Sequence, residues 1–105
     1  MLAPISEMAD RDALSQVADF LLPTEEVEVV VAYGVRMSKV IISARSTKDS
    51  IHLGKILSKT FAEGSAGGHK ALAGGQIPFE ELNCENDEDA MKSITKILKS
   101  VLGGE

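Results

Sequence analysis

Residues able to do chemistry concentrate in one stretch, Glu63-Gly64-Ser65-Ala66-Gly67-Gly68-His69-Lys70-Ala71-Leu72-Ala73-Gly74-Gly75-Gln76-Ile77-Pro78-Phe79. Five of the nine glycines of the chain lie between Gly64 and Gly75, around a histidine and a lysine. Glycine serves where the backbone needs positive φ, or where something must approach the main chain closely. Successive N–H groups in such a turn can form an anion-binding concavity. The stretch is therefore expected to hold a phosphate or phosphodiester oxygen, with His69 and Lys70 nearby. A glycine-rich connector with no ligand is the alternative. Arg45 joins the candidate set, because a guanidinium pairs bidentately with phosphate, which a lysine does less specifically. The other reading of Arg45 is a solvated strand end. His52 has no partner motif and reads as a surface or capping histidine.

Other chemistries find little support. Gly54-Lys55 is followed by Ile56 rather than Ser or Thr, so there is no Walker loop. The glycines do not follow a strand in the dinucleotide-binding pattern. With two histidines and one cysteine and no clustered carboxylates, no metal site is expected. No catalytic set is recognisable. Cys84 stands alone in a polar loop, which excludes an internal disulfide. The start, Met1–Glu7, lacks the basic and apolar blocks of a signal peptide. No run of about 18 apolar residues exists to span a membrane. Together these point to the cytoplasm.

Net charge is −5, unevenly placed. Residues 36–70 hold seven basic and two acidic residues, a local charge of +5, against four basic and fourteen acidic elsewhere, or −10. A basic centre between acidic flanks suits a site that attracts an anion. Lys55 and Lys59, spaced i,i+4, read more simply as the solvated face of a helix. The acidic total argues against a general duplex-DNA binder.

These residues need a scaffold, and the patterning supplies one. Leu14, Val17, Ala18 and Leu21 form one apolar face of a helix over Ser6–Leu22, ended by Pro23. Residues 1–9 read as a linker remnant. Val27–Gly34 alternates as a strand, Gly34-Val35 reads as a turn, and Met37–Arg45 as the second strand of an antiparallel hairpin. Alternation puts Lys39, Ile41, Ser43 and Arg45 on one face and Val40, Ile42 and Ala44 on the other. A helix from Asp49 or Ser50 to about Ala62 follows, with Glu63-Gly64 as its stop. Leu72–Phe79 reads as a third strand with a close backbone approach at Gly74-Gly75, and Glu80–Glu85 as acidic loop. Asn86 is the expected N-cap of a helix Asp87–Leu102, and Gly103-Gly104 its end. The order α-β-β-α-β-α gives three helices and three or more strands. That suggests a single α/β domain over residues 1–105, a two-layer α/β sandwich. A strand–helix–strand crossover would make its sheet mixed.

Arg45-Ser46 followed, one helix later, by Gly67-Gly68-His69-Lys70-Ala71-Leu72-Ala73-Gly74-Gly75 resembles the DHH-associated domain, subfamily 1. This is the C-terminal domain of many DHH-family phosphoesterases, including oligoribonucleases that also act on adenosine bisphosphate and exopolyphosphatase-related proteins. The resemblance covers roughly residues 6–101. It implies that Arg45, Gly67, Gly68 and His69 bind the nucleotide or phosphate end of a substrate, with Ser46 and Lys70 as weaker candidates. It also implies that manganese or another divalent metal, and the nucleophilic water, belong to a separate Asp-His-His domain acting in cis or in trans. This chain has no His-His pair and is expected to be catalytically silent alone, with no cofactor of its own. Its expected partners are a short oligonucleotide, a nucleotide or another phosphoester, that catalytic domain, and a second copy in a homodimer. The usual first glycine of the family loop is Ala66 here, which would be strained if the position needs positive φ. A ligand-free regulatory or dimerisation module, and a stand-alone enzyme, remain the alternatives.

Overall fold

The computed structural model describes residues 2–5, 11–21, 28–48, 50–62 and 65–102. Among these the elements run β1 (Leu2–Ile5), α1 (Arg11–Leu21), β2 (Val29–Arg36), β3 (Lys39–Ser46), α2 (Leu53–Thr60), β4 (Ala66–Gly68), β5 (Leu72–Pro78), α3 (Phe79–Leu82) and α4 (Asp87–Leu102).

The β2–β3 hairpin is the centre of the sheet, paired from Val29 opposite Ser46 to Arg36 opposite Lys39. Its turn is Met37-Ser38, not Gly34-Val35. Both turn residues have positive φ, 52° and 62°, the conformation of a primed turn whose twist matches the strands. Gly34 remains inside the ladder opposite Ile41. β-branched alternation carries the strand through the glycine, and exposed Met37 takes the tip.

The strand order is β1-β2-β3-β5-β4. The sheet is mixed, as expected, but the parallel pair is β1 with β2, joined through α1. The crossover from β3 through α2 instead returns an antiparallel neighbour, β5. β1 falls within residues 1–9, expected to be linker. Its Pro4 is tolerated because β1 is an edge strand. β4 and the single-turn α3 were also not expected.

Strand alternation divides the apolar residues between two clusters. The larger joins Tyr33, Ile42 and Ile77 of the sheet to Leu57 of α2 and to Ile94 and Leu98 of α4. This sheet-on-helix body is the two-layer α/β sandwich. On the opposite face Val30, Ala32 and Ile41 pack with Leu14 and Ala18 of α1. A buried hydrogen-bonding group, Tyr33 Oη, meets Thr95 Oγ1 of α4 at 2.6 Å.

Helix α4 has the expected bounds, and Asn86 caps it: Asp89 N–H donates to Asn86 Oδ1 at 2.8 Å. For α2 the cap is His52, rather than Asp49 or Ser50. Its Nδ1 accepts from Lys55 N–H at 3.1 Å, so the capping alternative read for this histidine holds. Asp49, Ser6–Asp10, Leu22, Pro23, Glu63-Gly64 and Gly103-Gly104, also used in reading the elements, lie outside the described residues. Among the described residues no helix is long and apolar enough to cross a membrane.

Candidate functional site

Arg45 stands one residue before the end of β3, on the face turned toward α1. It is 8% exposed, so it is not a solvated strand end. Burying a cation is costly unless acceptors surround it. Arg45 Nε donates to Asp19 Oδ1 of α1 at 2.8 Å, and Nη1 donates to Ala44 O at 2.9 Å. Nη2 has no hydrogen-bond partner among the described residues. Two residues earlier on the same face, Ser43 Oγ lies 3.2 Å from Ser15 Oγ, again on α1. Ser15 and Asp19 are one helical turn apart, and Ser43 and Arg45 one strand repeat apart. Two polar pairs thus cross the same helix–strand contact. Asp19 was not among the expected site residues. Its i,i+4 spacing from Ser15 was a visible signal, but nothing local tied it to Arg45.

The glycine loop is built by β4, the turn at His69–Ala71 and β5. Its amides are less open than the sequence suggested. His69 N–H donates to Leu72 O at 2.8 Å, and Gln76 N–H donates to Ser65 O at 2.9 Å. Gly67 opposite Gly74 falls between these two on the same hydrogen-bonded alternation. Every second amide of β4 and its turn is thus taken up by β5, and the loop adds the His69 ring and the room left by its missing side chains. Gly68 has φ +139°, and a Cβ there would lie 2.8 Å from Ala73 Cα, so the position requires glycine. Ala66 has no positive φ and sits in regular β4, so alanine is unstrained in place of the family's glycine.

The start of α2 clasps this loop. Leu53 N–H donates to Lys70 O and Gly54 N–H to His69 O, both at 2.9 Å. With the His52 cap, the first donors of α2 are occupied, and this helix terminus is closed to a ligand. The contact is close enough that a Cβ on Gly54 would fall 2.1 Å from Gly68 O.

Arg45, Ser15, Ser43, Gly67, Gly68 and His69 together line a cavity of about 210 Å³. Four of the expected site residues thus converge, although a helix and a turn separate them in sequence. Ser46 and Lys70 are not among the lining residues. Ser46 Oγ instead accepts from Lys48 N–H at 2.9 Å, shaping the exit from β3. Lys70 is exposed, and its carbonyl serves the clasp. The cavity is lined by one guanidinium, whose Nη2 is unpaired among the described residues, two hydroxyls and an imidazole. This is a donor set suited to an oxyanion. Among the described residues no group of three or more His, Cys, Asp or Glu is placed to hold a metal ion. A larger cavity of about 450 Å³ between β1 and α4 is walled by Pro4, Met91 and the stems of Lys92, Lys96 and Lys99. It lacks convergent fixed donors.

Residues 1–104 match the DHHA1 domain family. An uncharacterized protein of Methanocaldococcus jannaschii, MJ1633, is 34% identical over 95 residues, which are 90% of this chain and 19% of that protein. The chain thus spans about a fifth of that relative's length. The C-Ala domain of Aquifex aeolicus alanyl-tRNA synthetase shares the fold, with TM-score 0.70, 20% identity, and 98% and 91% of the two chains covered. So does an exopolyphosphatase-related protein from Bacteroides fragilis, with TM-score 0.63 and 18% identity over 94% of this chain and 28% of that one. A pGpG-specific phosphodiesterase, PggH, from Vibrio cholerae aligns with TM-score 0.53 and 13% identity, over 99% of this chain and 34% of that one.

Proposed function

The chain belongs to the DHHA1 domain family, and from that premise we propose that it is the nucleotide- or oligonucleotide-phosphate-binding domain of a DHH-family phosphoesterase. DHHA1 domains accompany DHH catalytic domains. One observation carries the proposal: Arg45 and His69 line the same cavity, together with Gly67, Gly68, Gly74, two serines and three apolar side chains. Arg45 would direct its free Nη2 edge to a phosphate oxygen, while Asp19 and Ala44 O hold the rest of the guanidinium. His69 would donate a second hydrogen bond from the turn. Gly67 and Gly68 would let the phosphate approach the backbone closely. Ser46 and Lys70 would act around this contact, Ser46 by shaping the strand end and Lys70 by its charge.

In this reading the chain positions substrate and does not turn it over. The divalent metal and the nucleophilic water would be held by a DHH catalytic domain, in cis or in trans, in the cytoplasm. Fixing one end of the substrate would set the scissile phosphate at the distant metal centre, and such positioning is a large part of catalytic power.

The test is a titration of backbone amide chemical shifts with adenosine 3′,5′-bisphosphate and with a short oligonucleotide. Shifts confined to β4, the His69 turn and the end of β3, and absent in Arg45→Ala and His69→Ala, are expected. Unchanged titrations in both variants would sink the assignment.

A second reading is a domain that has no phosphoester ligand and acts in assembly, as a homodimer. It draws on the shared fold of the C-Ala domain, which belongs to a synthetase rather than a phosphoesterase. A tight dimer by light scattering, with no response to any phosphate compound, would favour it.

A further inference from the structure

We infer that the Arg45 cavity is one end of a longer trough that takes a phosphodiester chain, and that Lys39 and Gln76 form a second phosphate subsite at its other end. This rests on the proposed role of Arg45 and His69. A cavity of about 410 Å³ is lined by Lys39, Gln76, Gly67 and Gly74 among others. It shares Gly67 and Gly74 with the cavity at Arg45. The ladder places Ser43 opposite Gly74, Ile41 opposite Gln76, and Gly74 opposite Gly67. Strand alternation therefore turns Arg45, Ser43, Lys39, Gln76 and both glycines to one side of the sheet.

That side also carries α1, but its apolar contacts are with β2 and β3 through Val30, Ala32 and Ile41. β5 and β4 lie beyond it, and the side chains that would divide the two cavities are missing at Gly67 and Gly74. The result is a shelf with a guanidinium at one end and an ammonium at the other.

Charge and length identify the occupant. Among the described residues no Asp or Glu lines either cavity, in a chain of net charge −5. Glu81 is held by Ser65 Oγ at 2.7 Å and by Ala62 N–H at 2.6 Å. Ser65 donates there and is left out of the subsite. Arg45 and Lys39 are six residues apart on one strand, about 20 Å at roughly 3.3 Å per residue. A lone phosphate or a compact polyphosphate cannot reach both. Phosphates of a stacked strand advance roughly 3.4 Å per nucleotide, so the trough accommodates several nucleotides. Lys39 supplies charge to a downstream phosphate, and the exposed Gln76 amide can donate to the same phosphate or to a sugar hydroxyl.

The experiment compares fluorescently labelled hexa-adenylate, adenosine 3′,5′-bisphosphate and tripolyphosphate on the full chain, with Lys39→Glu, Gln76→Ala, Arg45→Ala and a control, Lys55→Glu on the exposed face of α2. Lys39→Glu should weaken hexa-adenylate binding about tenfold, as expected for losing a phosphate contact and adding a repulsive charge. It should leave adenosine bisphosphate and tripolyphosphate unchanged, and Lys55→Glu should leave all three unchanged. Hexa-adenylate affinity untouched by Lys39→Glu, while Arg45→Ala still weakens adenosine bisphosphate, would overturn the second subsite alone. An equal loss from Lys55→Glu would overturn it too, by showing only a diffuse field. Arg45→Ala without effect on any ligand would overturn the first site, and the subsite with it.

Discussion

Arg45 and Asp19 face each other across the contact between β3 and α1, Nε to Oδ1 at 2.8 Å, with the arginine side chain 10% exposed and the aspartate 63% exposed. The pair is asymmetric. Asp19 keeps most of its hydration, so the contact adds little to stability in a solvent-screened setting. What it does is orient the guanidinium, whose Nε and Nη1 are both held in a residue that lines the cavity. It also sets a negative charge beside the place where an anion would bind.

With phosphate bound at Arg45 as proposed, that geometry would make Asp19 a brake on its affinity. Asp19→Asn keeps an acceptor for Nε but removes the charge, and should raise affinity for a dianionic phosphomonoester several-fold. The gain should be smaller for a singly charged diester. Isothermal titration against both ligands checks this, and equal or lower affinity for the monoester would contradict it. Arg45→Lys should lose most binding although it keeps the charge, because an ammonium cannot serve Asp19, Ala44 O and a ligand in one plane.

Gly54 is predicted to matter as much as the residues that meet the ligand. A Cβ there would overlap Gly68 O at 2.1 Å, where the neighbour is backbone and cannot swing away. Gly54→Ala should cost about 1–3 kcal/mol by overpacking. At roughly 4–8 °C per kcal/mol this is visible in a thermal melt. It should also loosen the His69 turn, so ligand affinity should fall more than the lost stability alone explains.

Much of this architecture is legible in the residues. The alternation in Val29–Tyr33 and in Lys39–Arg45 separates the two faces correctly, and the acidic first turn after Asn86 marks α4. What is hidden has a physical cause. The turn at Met37-Ser38 carries no glycine or asparagine, although both residues adopt positive φ. β1 is four residues with a proline, and exists through its parallel pairing with β2 rather than through its own propensity. β4 is three residues, two of them glycine, held by β5 on one side and clasped by α2 on the other. The pairing of Arg45 with Asp19 joins residues 26 apart, so no local pattern announces it.

Two stability predictions test the fold independently of any ligand. Asn86→Ala removes the oxygen that accepts from Asp89 N–H, and should cost about 1 kcal/mol in chemical denaturation.

Tyr33→Phe removes the 2.6 Å contact with Thr95 Oγ1 and leaves that hydroxyl without its partner. The expected cost is about 0.5–1.5 kcal/mol, read from the denaturation midpoint at constant slope. Neither variant should change affinity for a phosphate ligand, which separates the scaffold from the site.

The most direct measurement of the central claim is a double-mutant cycle on adenosine 3′,5′-bisphosphate binding with Arg45→Ala, His69→Ala and the pair. If both side chains grip one phosphate, each single change weakens binding. The joint loss then departs from the sum of the two by about 0.5 kcal/mol or more. Strictly additive losses, or full affinity in either single variant, would contradict the claim that these two residues share a ligand.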